Sequence, residues 1–240
     1  MPAQNDDAVV LGLTEFSETS QIVSLFGARN GRLRLIAKGA RRSTRQRFAP
    51  GLDLLERGEV GFLPARGDAQ LDTLTEWVQR DAFVGLRRDL LRLTAGLYAI
   101  ELVAALTEEA DPHPELFAAL VHLLGHLASD APAAPQIPWF QSELLRAIGY
   151  APNLDECVAC HRRVPRGSPA YFSAGAGGLL CRDCEPAYVE KRRVPAALVG
   201  TTPATGDPPA WFELLDYHLT HTAGRRFQTA AQLAALLARP

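Results

Sequence analysis

The marks of catalysis are missing from these 240 residues. The chain has no Gly-x₄-Gly-Lys-Ser/Thr phosphate loop, no His-Glu-x-x-His helix, no Gly-x-Ser-x-Gly elbow and no dinucleotide fingerprint behind a strand. Gly175-Ala176-Gly177-Gly178 does not qualify as that fingerprint, because position 180 is Leu180. The paired Glu108-Glu109 lack a partner base. The expectation is therefore a protein that is not an enzyme. No run of about 18 apolar residues occurs, which excludes a membrane-spanning helix. The first residues, MPAQNDDAVV, lack the basic-then-apolar order of a secretory signal, so the expected location is the cytoplasm. With only four cysteines in a reducing compartment, disulfides are not expected. What is present, 47% hydrophobic and 22% charged residues, is enough for a real core and excludes a disordered or fibrous chain. The net charge of −2 excludes a uniformly basic coat for nucleic acid.

That near-zero sum hides a segregation. No acidic residue lies between Glu18 and Asp53, a window holding eight bases: Arg29, Arg32, Arg34, Lys38, Arg41, Arg42, Arg45 and Arg47. Residues 81 to 150 reverse the balance, with nine acids against four bases. Two readings of the basic window compete, a solvated strand face and a surface that tracks phosphates. The missing carboxylates and the preference for Arg (23 Arg against 2 Lys) favour the second, since a planar guanidinium suits bidentate phosphate contact. Among the nearby aromatics Phe16, Phe26 and Phe48, Phe26 falls in an apolar run and reads as core, while Phe48 is the better stacking candidate. Lys191-Arg192-Arg193 and Arg225-Arg226 either extend the track or serve solubility and helix-end compensation.

The first 80 residues read as β. Val9, Leu11 and Leu13 alternate with smaller or polar neighbours, and 22–26 form a second apolar run. Asn30-Gly31 is expected to supply a pair of positive-φ residues for a tight hairpin. On the returning strand Leu33 and Leu35 alternate with Arg32 and Arg34, giving an apolar and a cationic face. Residues 59–63 and 71–78 add two strands, separated by a turn over 64–68. Five short strands suit a small Greek-key barrel of the OB type, with an SH3-like barrel as competitor.

From residue 81 the period changes to that of helices. Leu93, Leu97, Ile100 and Val103 mark one. Phe117, Leu120, Val121, Leu124 and Leu127, opened by Pro114, mark a second. A third runs from Pro138 to Gly149, and two more cover 211–219 and 230–237. The expected division is a barrel over 1–80, a helical domain over 81–152, a cysteine unit over 153–187 and closing helices over 188–240. The fold class is α+β.

Cys157-x-x-Cys160 and Cys181-x-x-Cys184 use all four cysteines, two by two, with 20 residues between the pairs. Each step places two thiolates on one tight turn, and two such turns complete a tetrahedral shell for one Zn²⁺ per chain. Gly175, Gly177 and Gly178 supply the hairpin that returns the second pair to the first. Four thiolates close the shell, so such an ion is structural. The competing reading, a redox dithiol, would need one pair opening a helix in a βαβ unit. His161 reads as an exposed turn residue; His122 and His126, at i, i+4, have no third ligand nearby, and His218 and His221 raise the same bare possibility at i, i+3.

In their order these pieces resemble the RecO recombination mediators of bacterial DNA repair. The resemblance rests on Ala8-Val9-Val10-Leu11, Ser20-Gln21-Ile22-Val23 leading to Asn30-Gly31, and Ile36-Ala37-Lys38-Gly39-Ala40-Arg41-Arg42. Further along it rests on Tyr98-Ala99-Ile100-Glu101-Leu102, Leu116-Phe117-Ala118-Ala119-Leu120, Glu143-Leu144-Leu145, Gly149-Tyr150-Ala151-Pro152, Phe172-Ser173, Gly177-Gly178 and the two cysteine pairs. The resemblance implies an N-terminal OB fold, a helical domain and an inserted zinc unit. It also implies binding of single- and double-stranded DNA, annealing of complementary strands, and cooperation with RecR in helping RecA replace single-strand-binding protein. DNA contact is carried onto Lys38, Arg41 and Arg42 by the matching block, and extended to Arg32, Arg34, Arg45 and Arg47 on charge alone. Since some members lack the cysteines, the metal is not essential to the shared activity.

Overall fold

The computed structural model describes residues 3–38, 52–65 and 71–239. They fall into two compact units, Met1–Arg88 with Ala99–Ser129 and Asp89–Tyr98 with Asp130–Pro240.

In the first unit, β1 (Gln4–Glu15), β2 (Gln21–Gly27), β3 (Gly31–Ala37), β4 (Arg57–Leu63) and β5 (Asp72–Asp81) close a barrel in the order β1-β2-β3-β5-β4. Its neighbours run antiparallel except β3 and β5, which are parallel through Leu35↔Asp72 and Ile36↔Thr73. Closure removes free sheet edges. The interior holds Ala8, Val10, Val23, Leu25, Leu33, Leu35, Val60, Phe62, Leu74 and Trp77. On β3 the expected alternation appears: Leu33 and Leu35 point inward while Arg32 and Arg34 face out. On β1 it does not. A bulge between Val10 and Gly12 changes the phase, so Ala8 and Val10 enter the barrel while Val9 and Leu11 are buried on its outside.

The β2–β3 hairpin also differs from expectation. Its loop is the three residues 28–30, and of the Asn30-Gly31 pair only Gly31 has positive φ (65°). The cause lies on β1. The buried Asp6 carboxylate accepts from the backbone N–H groups of Asp7 (2.9 Å), Arg29 (3.1 Å) and Asn30 (2.9 Å) and from the Asn30 side-chain amide (2.8 Å). A strand residue thus fixes the turn. Gly31 is required for space as well, because a Cβ there would lie 2.1 Å from the Asp111 carbonyl oxygen.

The helices are α1 (Leu90–Leu106), α2 (Pro114–Ala128), α3 (Gln136–Ala147), α4 (Pro208–Ala223) and α5 (Ala230–Leu237). Pro114 stands at the start of α2, where a missing N–H costs nothing. Within the first unit, Phe117 of α2 meets Phe26 of β2 at 6.2 Å between ring centroids, covering the outside of the barrel at that point. In the second unit α3 and α4 pack together, with Tyr98 5.4 Å from Phe212 and 6.0 Å from Phe227. Gln141, fully buried, donates to Tyr98 Oη (2.9 Å), which donates to Asp216 (2.8 Å). Asp207 caps α4 by accepting from Ala210 N–H (3.1 Å), and Gly224 at φ 64° ends it. A small sheet, β7 (Gly178–Cys181), β6 (Ala170–Ser173) and β8 (Arg192–Val194), lies in the same unit. Phe172 of β6 meets His218 and Tyr217 of α4 edge-to-face, with ring centroids 5.5 Å and 6.4 Å apart. Among the described residues, no helix is long and apolar enough to cross a membrane.

Candidate metal centre and nucleic-acid interface

The first cysteine pair sits in a turn strapped to β7. Asn153 N–H donates to the Gly177 carbonyl (2.9 Å), Leu179 N–H to the Asn153 carbonyl (2.9 Å) and Val158 N–H to the Leu179 carbonyl (2.8 Å). Such close passage needs Gly178, where a Cβ would lie 2.5 Å from the Asn153 oxygen and 2.7 Å from Val158 Cγ1. The chain reverses at Gly177 (φ 75°), and β7 ends on Cys181, so the second pair arrives beside the first. Within the turns, His161 N–H donates to the Cys157 carbonyl (2.8 Å) and Cys184 N–H to the Cys181 carbonyl (3.1 Å). Arg162 and Asp183 connect the two turns at 3.2 Å.

The four Sγ atoms all lie within 4.8 Å of one another, and Cys160 and Cys181 are 3.9 Å apart. A regular tetrahedron with metal–sulfur bonds of about 2.3 Å has an edge of about 3.8 Å. A disulfide would need about 2.05 Å. The donor set therefore fits one tetrahedral thiolate-bound ion, and Cys157, Cys160, Cys181 and Cys184 can hold it. The electrostatics agree. Burial opposes ionisation of Cys157, but hydrogen bonds from the backbone of Cys181, Cys160 and Ala159 outweigh it and hold the thiol below its ordinary value. The backbone and guanidinium of Arg162 bring Cys160 to about 6. Cys184 is pushed up to about 12 by its hydrogen bonds to the Cys181 and Cys160 side chains. Crowded thiols of this kind resist carrying four negative charges unless a cation shares them. Among the described residues, no other group of three or more ligating side chains is close enough to share an ion. His161 is exposed at φ 57°, and the His122 and His126 rings stand 6.2 Å apart.

The basic window divides. Arg41, Arg42, Arg45, Arg47 and Phe48 lie outside the described residues. Arg32 is half-buried and donates through Nη1 to the Ala104 carbonyl, with its Nε buried and without a partner. Arg34 is half-exposed, 3.7 Å from Glu109. Arg29 lies over Asp6 (3.4 Å). Lys38 is exposed at the end of β3. The carboxylates absent from the window in sequence thus return from β1 and from the segment after α1. In the later clusters, Lys191 pairs with Glu185, the Arg192 guanidinium lies 4.4 Å from the Tyr217 ring centre, and Arg192 and Arg226 line one cavity of the second unit. One exposed aromatic lies outside the apolar periods of the sequence: Phe16, 58% exposed in the turn between β1 and β2.

Comparison with known proteins agrees with this architecture. The family profile described as Recombination protein O N terminal matches residues 1–83, and that described as Recombination protein O C terminal matches 87–204. The chain is 31% identical to the DNA repair protein RecO of Myxococcus xanthus, with 98% of each chain aligned. Identity is 33% to that of Geobacter metallireducens, over 86% of this chain and 82% of the relative. For that of Rhodopirellula baltica it is 38%, over 75% of this chain and 66% of the relative. With both profiles matched in order across a closed barrel and the helical segments after it, the chain belongs to the RecO family of DNA repair proteins.

Proposed function

We propose that this chain is a non-catalytic recombination mediator of the bacterial cytoplasm. It binds single- and double-stranded DNA, anneals complementary strands and, with RecR, assists RecA in displacing single-strand-binding protein. The observation that carries the reading is the outer face of β3. On a closed barrel it turns Arg34 outward, with exposed Lys38 just past its end, after which the sequence supplies Arg41, Arg42, Arg45 and Arg47. Cations on such a face neutralise the phosphate repulsion between two strands and lower the barrier to their meeting. Base pairing then supplies specificity and most of the free energy, so annealing needs no nucleotide hydrolysis. In this reading the ion held by Cys157, Cys160, Cys181 and Cys184 is Zn²⁺, which contributes folding free energy and offers no open position to a substrate.

The test is strand-annealing kinetics, with and without single-strand-binding protein, for the wild type beside an Arg41→Glu/Arg42→Glu variant. The variant is expected to lose binding and annealing at moderate salt while its circular dichroism is unchanged. Unaltered annealing would overturn this site.

A second reading draws on Asp6 and Glu109, which sit against Arg29 and Arg34. In it the chain is a protein-binding adapter and the basic strand serves solubility. Fluorescence anisotropy of labelled single-stranded DNA across several salt concentrations separates the two, since an adapter binds negligibly.

A further inference from the structure

Among the described residues phenylalanine is a core residue with one conspicuous departure. Phe26, Phe62, Phe83, Phe117, Phe140, Phe172, Phe212 and Phe227 are at most 7% exposed, whereas Phe16 is 58% exposed. Its setting is ordered. β1 and β2 stay paired up to Glu15↔Gln21, and the turn is closed by Phe16 N–H to the Ser20 carbonyl (3.1 Å), Ser17 N–H to the same carbonyl (3.1 Å) and Ser20 N–H to the Ser17 carbonyl (3.3 Å). The backbone is thus held while the ring stays in solvent.

Glu15 and Glu18 flank the ring in the turn, and the β2–β3 register brings one cation to the same end of the ladder. Gln21 pairs with Ala37, so exposed Lys38 comes next to Ser20 at the same end of the β2–β3 ladder as Phe16. Val23, Leu25, Leu33 and Leu35 point inward, which leaves Ile22, Ser24, Arg34 and Ile36 on the outer face as the pairs Ile22↔Ile36 and Ser24↔Arg34. Lys38 and Arg34 are four residues apart, about 13 Å along the strand. The outer face of β2 and β3 therefore carries, in order from the end nearest the Phe16 turn, a cation, a half-buried aliphatic pair and a second cation. In small barrels of this strand order, the face of strands 2 and 3 and the loop joining strands 1 and 2 are where single strands lie. Cations hold the backbone there and aromatic rings stack on bases.

Resting on the DNA-binding reading above, we propose that Phe16 is a base-stacking platform that gives the barrel its preference for unpaired nucleotides. The ligand is the π-face of a single-stranded base of any identity. Bases inside a duplex already stack on their neighbours and do not offer that face.

The experiment measures anisotropy of an oligothymidylate and of a hairpin duplex across a salt series, for the wild type, Phe16→Ala and Phe16→Trp. Phe16→Ala is expected to weaken single-strand binding about 5- to 150-fold. Duplex affinity, the slope of log affinity against log salt, thermal stability and sedimentation should stay at wild-type values. Phe16→Trp should restore affinity and show indole quenching on binding beyond that of the wild-type protein. Unchanged single-strand affinity in Phe16→Ala, an equal loss on both DNAs, or altered self-association would each overturn the proposal. A wild type that binds no single strand at any salt would instead bring down the DNA-binding reading beneath it.

Discussion

If the four-cysteine cluster holds the zinc proposed above, removing it is the most decisive perturbation of the second unit. The sheet beside the centre has strands of only 4, 4 and 3 residues, and its β7 ends on Cys181, one of the four clustered thiols. Binding of a structural Zn²⁺ to such a site contributes about 10–16 kcal/mol at neutral pH. That is as large as the whole stability of an ordinary domain, about 5–15 kcal/mol. Chelation should therefore melt the turns around Cys157–Cys160 and Cys181–Cys184. Arg162, Arg163 and Arg182 are exposed in or beside these turns and report on the melting as trypsin sites. Protein incubated with a strong chelator should release one zinc per chain to a colorimetric indicator and then be cut at those arginines far faster than loaded protein. Restoring zinc should restore resistance, and Cys181→Ser should behave as stripped protein does. Purified protein without zinc whose arginines resist trypsin equally well, with four freely reactive thiols, would refute the reasoning and favour a dithiol.

Other perturbations follow from single contacts. Asp6→Ala leaves several part-buried donors of the hairpin turn without their acceptor and should cost about 1–3 kcal/mol in urea unfolding; Asp6→Asn, which turns an amide N–H₂ toward those donors, should fall between. Arg32→Ala should lower the melting temperature through its lost bond to the Ala104 carbonyl, whereas Lys38→Glu should spare the melting temperature and reduce the salt slope of DNA binding by about 0.7. Burial holds His218 below its ordinary 6.5, with Nε2 donating to the Tyr150 carbonyl and His221 and Glu190 as charged neighbours. The unfolded chain then takes up the proton first, so stability should be level above about pH 6.5 and fall as pH drops below it. His218→Leu should abolish that slope in unfolding measured at successive pH values. Burial opposes the Glu190 carboxylate, but N–H groups of Gly175 and Ala174 and the Ser173 hydroxyl hold it below its ordinary 4.5. The stability it confers is full above that value and lost as pH falls through its lower folded value, a step that Glu190→Gln should remove.

Much of this architecture was legible because burial on one side writes a period into the sequence. β3 is the clearest instance, with Leu33 and Leu35 inside and Arg32 and Arg34 out. The cysteine cluster was legible because two Cys-x-x-Cys steps are the spacing that brings four thiols together, as they are here. What escaped depends on contacts distant in sequence. The bulge in β1 puts apolar residues on both faces, so alternation marks the strand but not which side enters the barrel. Asp6 controls a turn more than twenty residues away, and nothing local distinguishes it from Asp7. Counting charges in a window missed Asp6 and Glu109, which reach its arginines from elsewhere in the chain. Phe16 lies in a run of turn-forming residues, Ser17 to Ser20, outside any apolar period. That isolation was itself the signal.

The covering of the barrel by α2 bears on how the protein can be dissected. The first 83 residues look self-sufficient, yet Phe26 meets Phe117, and Gly31 abuts the backbone of Asp111, in a segment supplied only after the chain has passed through the other unit. A fragment cut at the boundary between the two halves would carry a bare apolar flank into solvent and aggregate. Liberating a soluble barrel calls for grafting 99–129 back onto it by a designed linker.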